Sequence, residues 1–318
     1  PTLPGIDVGH VDHGHDAARS RETRRVRTML VGALALVSLV ACGGSGESSA
    51  PTLDDGIRIA SFDFAESELL AELYAALLED AGVSVVRLGS IGPREVLAPA
   101  LESGVVDIVP EYVGTASGYF GAVPASIDAL RDAVAPRGLT VLSPASAENV
   151  NVVVVTRETA EAGGYLLVSD LADVASESVF GGPVECPERP LCLLGLRETY
   201  GLEFAEFVPQ RSLADTAEAL RRGEIDVGLM FSTAAELSPD EFVSLRDDRM
   251  LQPPENVVPI VRSAALDQWG SAVPDALEKL SLRLTTAQLR LLNRAVADGR
   301  PSAAVAADWL TAVGLVEP

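Results

Sequence analysis

Two stretches of the chain repeat each other: ALESGVVDIVPEYVGTA at Ala100–Ala116 and ALRRGEIDVGLMFSTAA at Ala219–Ala235. They align without a gap at an offset of 119 residues, which places Tyr112 opposite Phe231. Each copy has the pattern of a helix end, a glycine turn, a short apolar strand and an aromatic residue. Because ligands of open α/β sheets bind beyond the carboxyl ends of strands, the repeat predicts a cleft between two similar lobes. The alternative is that the copies share only the pattern common to α/β units.

The same alternation of strand and helix patterns extends along the chain. Apolar runs predict strands, and apolar residues at helical spacing predict helices. The predicted strands are Ile57–Ala60, Val83–Leu88, Val105–Val109, Thr140–Leu142, Ser178–Phe180, Glu203–Val208 and Ile225–Leu229. The predicted helices lie around Leu69–Leu78, Pro93–Ser103, Ser126–Ala135, Ser169–Val174, Leu191–Tyr200, Leu213–Arg222, Pro274–Leu284, Thr286–Asp298 and Ser302–Val313. This order predicts mostly parallel sheets covered by helices.

Two further apolar runs predict where the chain passes between the lobes. NVVVVT at Asn151–Thr156 is a β-branched run after which the strand–helix order restarts, and VVPIV at Val257–Val261 would return the chain to the first lobe. Two such crossings form a hinge, as in extracytoplasmic solute-binding proteins that close around a ligand. We therefore predict an α/β architecture of two lobes joined by a two-strand hinge, with lobe 1 at 56–151 plus 257–318 and lobe 2 at 152–256.

The N-terminal region has the pattern of an export signal. A basic segment precedes MLVGALALVSLVA at Met29–Ala41, an apolar run too short to span a bilayer. LVAC followed by GGSGESSAP resembles the bacterial lipobox, which makes Cys42 the expected lipidation site. We expect 1–28 to be a basic leader absent from the mature protein, 29–41 the signal-peptide core, and 42–55 a lipid-anchored flexible tether. The protein would then lie on the extracytoplasmic face of the cytoplasmic membrane.

Charge and residue usage narrow the possible functions. The chain has 46 acidic and 24 basic residues, which argues against binding nucleic acid. All three histidines precede the apolar run, so the mature protein would lack the commonest general base and metal ligand. Since no P-loop or hydrolase motif is present either, we predict a protein that is not an enzyme and uses no metal or cofactor. We also expect a monomer.

Two cysteines remain once Cys42 is assigned to the lipid. Cys186 and Cys192 flank the short loop CPERPLC. An even pair in an exported chain predicts a disulfide, with two free thiols as the alternative. Such a bridge would stiffen a loop and would not be catalytic.

Several longer stretches carry a resemblance to one family: SFDFAESELLAELYAALLEDAG, GPREVLAPALESGVVDIVPEYVGT, SDLADV, FGGPVECPERPLCLLGLRETYGLEF, LRRGEIDVGLMFST and LRDDRMLQPPENVVPIVR. On these motifs the chain resembles the osmoprotectant, or glycine betaine/choline, substrate-binding proteins of ATP-binding-cassette (ABC) importers. The resemblance covers nearly all of the expected mature chain. It implies a type II periplasmic-binding-protein fold, capture of a small osmolyte-like solute between the lobes, and delivery to the permease subunits.

The resemblance also implies a set of ligand residues, carried over one position at a time. They are Ser61, Phe62, Asp63, Phe64, Glu66, Ser67, Glu111, Tyr112, Thr115, Asn149, Asn151, Gly182, Phe231 and Ser232. The chain departs from the family pattern at Val109 and Asn151, where the family has tyrosines, and at Ala234, where it has an acid.

These departures bear on the ligand because a quaternary ammonium is held by aromatic faces, each worth about 0.5–2 kcal/mol. Phe62, Tyr112 and Phe231 would form only a partial cage, with a nearby acidic side chain such as Asp63, Glu66 or Glu111 balancing the charge. We therefore predict at most weak binding of glycine betaine or choline. The alternatives are a less cationic solute held by hydrogen bonds, and a lipoprotein that senses a ligand without feeding a permease.

Some of these residues also have a purely structural interpretation. Phe62 and Phe64 could belong to the core, and Glu111 could stabilise a helix N-terminus. Asp107 and Asp226 are expected to serve turns. The glycine pair Gly181–Gly182 could either present amide donors to an anionic group or turn the chain.

Overall fold

The protein is described by a computed structural model, which covers residues 56–317. The predictions made for 1–55, including lipidation of Cys42, lie outside the described residues. Within 56–317, no helix combines the length and the apolar character needed to cross a membrane.

Ten strands and eleven α-helices make up this region, together with short 3₁₀ and π turns. The strands are β1 (Ile57–Ser61), β2 (Val85–Ser90), β3 (Ile108–Tyr112), β4 (Leu139–Val141), β5 (Asn151–Thr156), β6 (Val179–Pro183), β7 (Glu206–Gln210), β8 (Val227–Phe231), β9 (Phe242–Leu245) and β10 (Val257–Arg262). The helices are α1 (Ala65–Asp80), α2 (Arg94–Glu102), α3 (Val113–Phe120), α4 (Ile127–Val134), α5 (Arg157–Gly163), α6 (Leu193–Gly195), α7 (Leu213–Arg222), α8 (Ser263–Trp269), α9 (Ala272–Ser281), α10 (Thr286–Ala297) and α11 (Ser302–Ala312).

The strands form two five-stranded sheets of matching topology. The first sheet has the order β2-β1-β3-β10-β4, and the second has the order β7-β6-β8-β5-β9. In the first sheet β10 runs antiparallel to the other four strands, and in the second sheet β5 does. These two strands are the predicted crossing strands, each of which enters a sheet from the other half of the chain. The predicted mostly parallel α/β architecture is confirmed.

The repeat occupies equivalent places in the two sheets. β3 ends at Tyr112 and β8 ends at Phe231, so the two aromatic residues aligned by the repeat both stand at a strand's carboxyl end. Just before each strand, an aspartate binds the main chain of the adjacent parallel strand: the carboxylate of Asp107 accepts from the Arg58 amide at 3.0 Å, and that of Asp226 accepts from the Val179 amide at 2.8 Å. The expectation that these aspartates serve turns is wrong, because both fasten neighbouring strands.

Two chain segments, 142–150 and 246–256, connect the sheets and run side by side. They pair through a bridge between Glu148 and Asn256, and the Asn149 amide donates to the Glu255 carbonyl at 3.0 Å. Helix α10 adds a third connection, because the Arg290 guanidinium donates to the Ser232 carbonyl, just after β8, at 2.7 and 2.9 Å. The exact lobe boundaries given above remain a prediction.

Apolar side chains cover both faces of each sheet. One face of the first sheet packs against α1 and the C-terminal helices α9, α10 and α11, and the other packs against α2 and α4. In the second sheet, one face holds the disulfide and the π turn at Leu196–Tyr200, and the other holds α7. The helices of each lobe therefore leave the carboxyl ends of the central strands free to face the connecting segments.

The structure differs from the predicted elements at several places. α3, α5 and α8 were not predicted, because each is short and begins directly at the end of a strand; β9 was not predicted because it is only four residues long and follows polar turn residues. The predicted helix at Leu191–Tyr200 is instead a short α6 followed by a π turn, and the one at Ser169–Val174 is a 3₁₀ helix at Val168–Asp173. Gly181–Gly182 does not turn the chain but lies within β6, where a Cβ on Gly181 would stand 2.4 Å from Ile225.

Candidate functional site

The loop that follows β1 carries an aromatic stack. Phe62 and Phe64 stack with ring centroids 5.8 Å apart, and Phe64 stacks on Tyr112 at 6.3 Å. Phe62 is buried, as its structural interpretation expects, whereas Phe64 is 42% exposed. The loop is closed by Ser67, whose hydroxyl accepts from the Phe62 amide at 3.0 Å. The three rings therefore form one continuous stack, from Phe62 through Phe64 to Tyr112.

Glu66 is a buried acceptor that joins three parts of the chain. Its carboxylate accepts from the Tyr112 hydroxyl at 2.6 Å, from the Asn149 amide group at 2.7 Å and from the Asn293 amide group at 2.5 Å. Burial, reinforced by the nearby charge of Glu66, raises the pKa of Tyr112 well above its ordinary value, so the phenol stays a donor. Asn293 also donates to the Thr233 carbonyl at 2.9 Å, which links α10 to the segment after β8.

Arg94, which the sequence analysis did not single out, lies beside these aromatic residues. Its guanidinium donates two parallel hydrogen bonds to Glu111 at 2.9 and 2.8 Å, a third to the Thr115 hydroxyl at 3.0 Å, and covers the ring of Phe62. A bidentate pair of this kind has well-defined geometry and satisfies both charges. Glu111 is thus committed to Arg94 and to the Tyr112 amide and is not available to a solute.

A cavity of about 420 Å³, which we call the polar pocket, opens between the two sheets. Thr115, Asn149 and Glu255 line it on one side, and Phe231 and the disulfide loop line it on the other. Phe231 is 45% exposed, so its face is available to a ligand. The volume of the polar pocket is in the range of small-molecule binding sites.

The charges around the polar pocket leave one carboxylate in excess. Arg94 is matched by Glu111, and Arg189 is matched by Glu185 at 2.8 Å. Glu255 is the remaining acid that lines the pocket, so the site carries a net negative charge.

Glu255 is held in place by the start of α3. One carboxylate oxygen accepts from the Gly114 amide at 3.1 Å and from the Thr115 hydroxyl at 3.4 Å. Gly114 permits this approach, because a Cβ there would stand 2.9 Å from the other carboxylate oxygen. Burial raises the pKa of Glu255, while its hydrogen bonds to Thr115 and Gly114 and the charge of Arg94 act in the opposite direction.

The disulfide loop forms the wall opposite Glu255. Cys186 and Cys192 are joined, with their Cα atoms 5.3 Å apart, which confirms the predicted bridge. Both cysteines line the polar pocket, so the bridge fixes the wall as well as the fold. Among the described residues, no group of His, Cys, Asp and Glu side chains has an arrangement that could hold a metal ion.

The predicted ligand residues fall into three groups in the structure. Those that line the polar pocket are Thr115, Asn149, Asn151 and Phe231. Those that form or adjoin the aromatic stack are Phe62, Asp63, Phe64 and Tyr112. Those that are buried within strands or in hydrogen bonds of the protein itself are Ser61, Glu66, Ser67, Glu111, Gly182 and Ser232.

Ser232 shows why members of the last group are structural. Its hydroxyl donates to the Glu148 carbonyl at 2.6 Å and accepts from the Val150 amide at 3.1 Å. Both partners belong to the segment that crosses between the sheets. Ser232 thus fastens the end of β8 to that connection.

The residues that sequence reasoning missed lie mainly on the connecting segments. Glu255 and Gln252 belong to the segment before β10, and Arg189 belongs to the disulfide loop. Glu255 and Gln252 could have been found from their position in the sequence, because they directly precede a predicted hinge strand and side chains there lie close to the cleft. Nothing in the pattern around Arg94 indicates that it pairs with Glu111.

Comparison with known proteins identifies the family. The model of the family described as the substrate-binding domain of the ABC-type glycine betaine transport system matches residues 55–312. The chain belongs to this family. It is therefore an extracytoplasmic solute-binding component of an ABC importer, and the resemblance seen in the sequence is confirmed.

Individual relatives agree with this assignment. The chain is 28% identical to the glycine-betaine-binding protein of Pseudomonas aeruginosa, covering 85% of this chain and 92% of that protein. It is 25% identical to the carnitine transport binding protein OpuCC of Listeria monocytogenes, covering 84% and 87%. The glycine betaine-binding protein YehZ of Escherichia coli is 24% identical, covering 81% and 90%.

Solved structures confirm the type II binding-protein fold. A glycine betaine/carnitine/choline ABC transporter structure matches with a TM-score of 0.76 at 22% identity, covering 81% of this chain and 99% of that one. Apo YehZ from Escherichia coli matches with a TM-score of 0.73 at 22% identity, covering 82% and 99%.

Proposed function

We propose that the chain captures a small osmolyte-like solute with a positively charged end in the polar pocket. It delivers this solute to the permease of its importer, working as a monomer held at the membrane by a lipid on Cys42. The observation that carries the proposal is the polar pocket, where Glu255 supplies an excess negative charge and Phe231 an open aromatic face. These two groups are the ones that attract a cation that cannot donate hydrogen bonds.

The composition of the polar pocket also supports the prediction that glycine betaine and choline bind weakly at most. Phe231 is the aromatic side chain that lines it, because Tyr112 is buried against Glu66 and the family's tyrosine is Asn151 here. With one aromatic face, the cation–π contribution is limited to about 0.5–2 kcal/mol. We expect dissociation constants weaker than micromolar for both compounds.

Isothermal titration calorimetry with carnitine, glycine betaine and choline tests the site. At a separation of roughly 6 Å and an effective dielectric constant of about 20, a pair of unit charges is worth about 3 kcal/mol. Glu255→Gln therefore weakens binding more than tenfold, while Glu206→Gln, an exposed change on the edge strand β7, leaves it unchanged. Equal affinities for the two variants would contradict the role of Glu255.

The aromatic contribution and the anchor are tested separately. Phe231→Ala weakens binding by about 2- to 30-fold, whereas Tyr119→Ala, at an exposed aromatic residue outside the pocket, does not.

The lipid anchor is tested by replacing the cysteine. Cys42→Ala releases the protein from the membrane fraction of cells. Persistent membrane association of that variant would refute the lipid anchor.

A further inference from the structure

A second cavity of about 900 Å³ adjoins the polar pocket, and we call it the side groove. Its floor is made by the apolar face of the second sheet, including Val153, Leu229 and Leu245. Leu196 and Val168 extend the same surface. These side chains belong to the buried core, yet here they border an open space large enough for a ligand.

The roof of the side groove is a loop with its own hydrogen-bonded framework. The Asp247 carboxylate accepts from the amides of Leu251 and Gln252 at 3.0 and 2.7 Å, and from the Tyr200 hydroxyl. The same hydroxyl accepts from the Arg249 amide at 2.8 Å. Because the loop is held by these bonds, the groove is preformed, and a ligand does not have to order it.

Two amide side chains border both the side groove and the polar pocket. Asn151 donates to the Leu191 carbonyl and to the Gln252 side chain, both at 3.3 Å, and Gln252 donates to the same carbonyl at 3.1 Å. All three residues line both cavities. Because water or a polar part of the solute can replace these neutral hydrogen bonds, the two side chains can move apart at little net cost.

We propose that the solute is a cation or zwitterion carrying an apolar chain of several carbons. Its charged end occupies the polar pocket, and its chain passes the Asn151–Gln252 pair into the side groove. This inference rests on the proposed function and specifies its substrate class. It follows from the continuity of a net-negative pocket with an apolar groove, an arrangement that a short solute such as glycine betaine would leave half empty.

Calorimetry with carnitine and its acetyl, butyryl, hexanoyl and octanoyl esters tests the inference. Each methylene buried in the groove tightens binding about fourfold until the groove is filled. If carnitine binds and its esters bind no more tightly, the side-groove inference is wrong and the proposed function stands. If neither carnitine nor any ester binds, the proposed function fails as well.

A groove-filling variant distinguishes specific burial from general hydrophobic association. Ala125 is partly exposed in the loop before α4 and lines the side groove, so Ala125→Phe fills space there without disturbing the core. We expect this variant to bind carnitine as the parent does and to lose the gain along the ester series. Ser103→Phe, at an exposed serine outside both cavities, keeps the gain. If Ala125→Phe also keeps it, the chain does not lie in the side groove.

Discussion

Asp107 is the residue whose replacement tests the architecture most directly. Its fully buried carboxylate accepts from the Arg58 guanidinium at 2.8 and 3.0 Å and from the Arg262 guanidinium at 2.8 and 2.6 Å. It thereby joins β1, the start of β3 and the end of the crossing strand β10. Asp107→Asn keeps the size of the side chain but removes the negative charge that faces both arginines.

The expected cost follows from burial. Removing one partner of a buried ion pair typically costs about 3–5 kcal/mol, because the other charge is left without compensation. The repeat provides a matched control in Asp226, which is exposed and accepts from the Val179 main-chain amide. Asp226→Asn retains an oxygen that accepts from the same amide, so its cost is at most about 1 kcal/mol.

Thermal and urea unfolding of the two variants measure this difference. For a chain of this size, 1 kcal/mol corresponds to about 2–4 °C in Tm. Asp107→Asn should therefore lower Tm by about 6–20 °C, and Asp226→Asn by less than about 4 °C. If both variants lose the same stability, or if Asp107→Asn stays within about 2 °C of the parent, the reasoning from burial and charge is wrong.

Three further predictions concern the polar pocket. Burial raises the pKa of Glu255, so affinity for a cationic solute should fall as the pH drops through that raised pKa, at a pH above the ordinary glutamate value of 4.5. The fall should level off at the affinity of Glu255→Gln, because protonation removes the same charge. Calorimetry at several pH values should show this dependence, and Glu255→Gln should abolish it. Replacing Cys186 and Cys192 together by alanine opens a short loop, so Tm should fall by the equivalent of about 2 kcal/mol. Solute binding should also weaken, because both residues line the pocket. Unchanged binding would show that the pocket wall is fixed without the disulfide. Asn151→Tyr adds an aromatic face and should tighten glycine betaine about 2- to 30-fold by titration, whereas no gain would mean that the ring does not reach the solute.

Much of the fold could be predicted from the sequence because its determinants are local. Apolar runs and helical spacing locate most of the elements, and the repeat identifies two equivalent strands. β9 could not be predicted in the same way, since Phe242–Leu245 is short and follows polar turn residues. Its place at the edge of the second sheet depends on pairing with β5, which is a contact distant in sequence.

The candidate site was harder to predict because its residues acquire their roles from distant partners. Glu66 and Glu111 match the expected pattern, yet buried donors on other elements occupy both carboxylates. Glu255 has no recognisable motif, and its role comes from the Gly114 amide, which lies 141 positions away. Residue type and spacing therefore located the region of the pocket, while the contacts decided which acids face it.

The two aromatic residues aligned by the repeat have different roles in the two halves of the chain. Tyr112 and Phe231 end equivalent strands, but Tyr112 is buried and its hydroxyl is bound by Glu66, whereas Phe231 is exposed to the polar pocket. The first half thus uses its strand-end aromatic to fix α1 and the crossing segment. In the proposed site, the second half presents its own to the solute. Under this proposal aromatic contact comes from one wall only, so selectivity is expected to arise from the charge of Glu255 and from the part of the solute that reaches beyond the pocket.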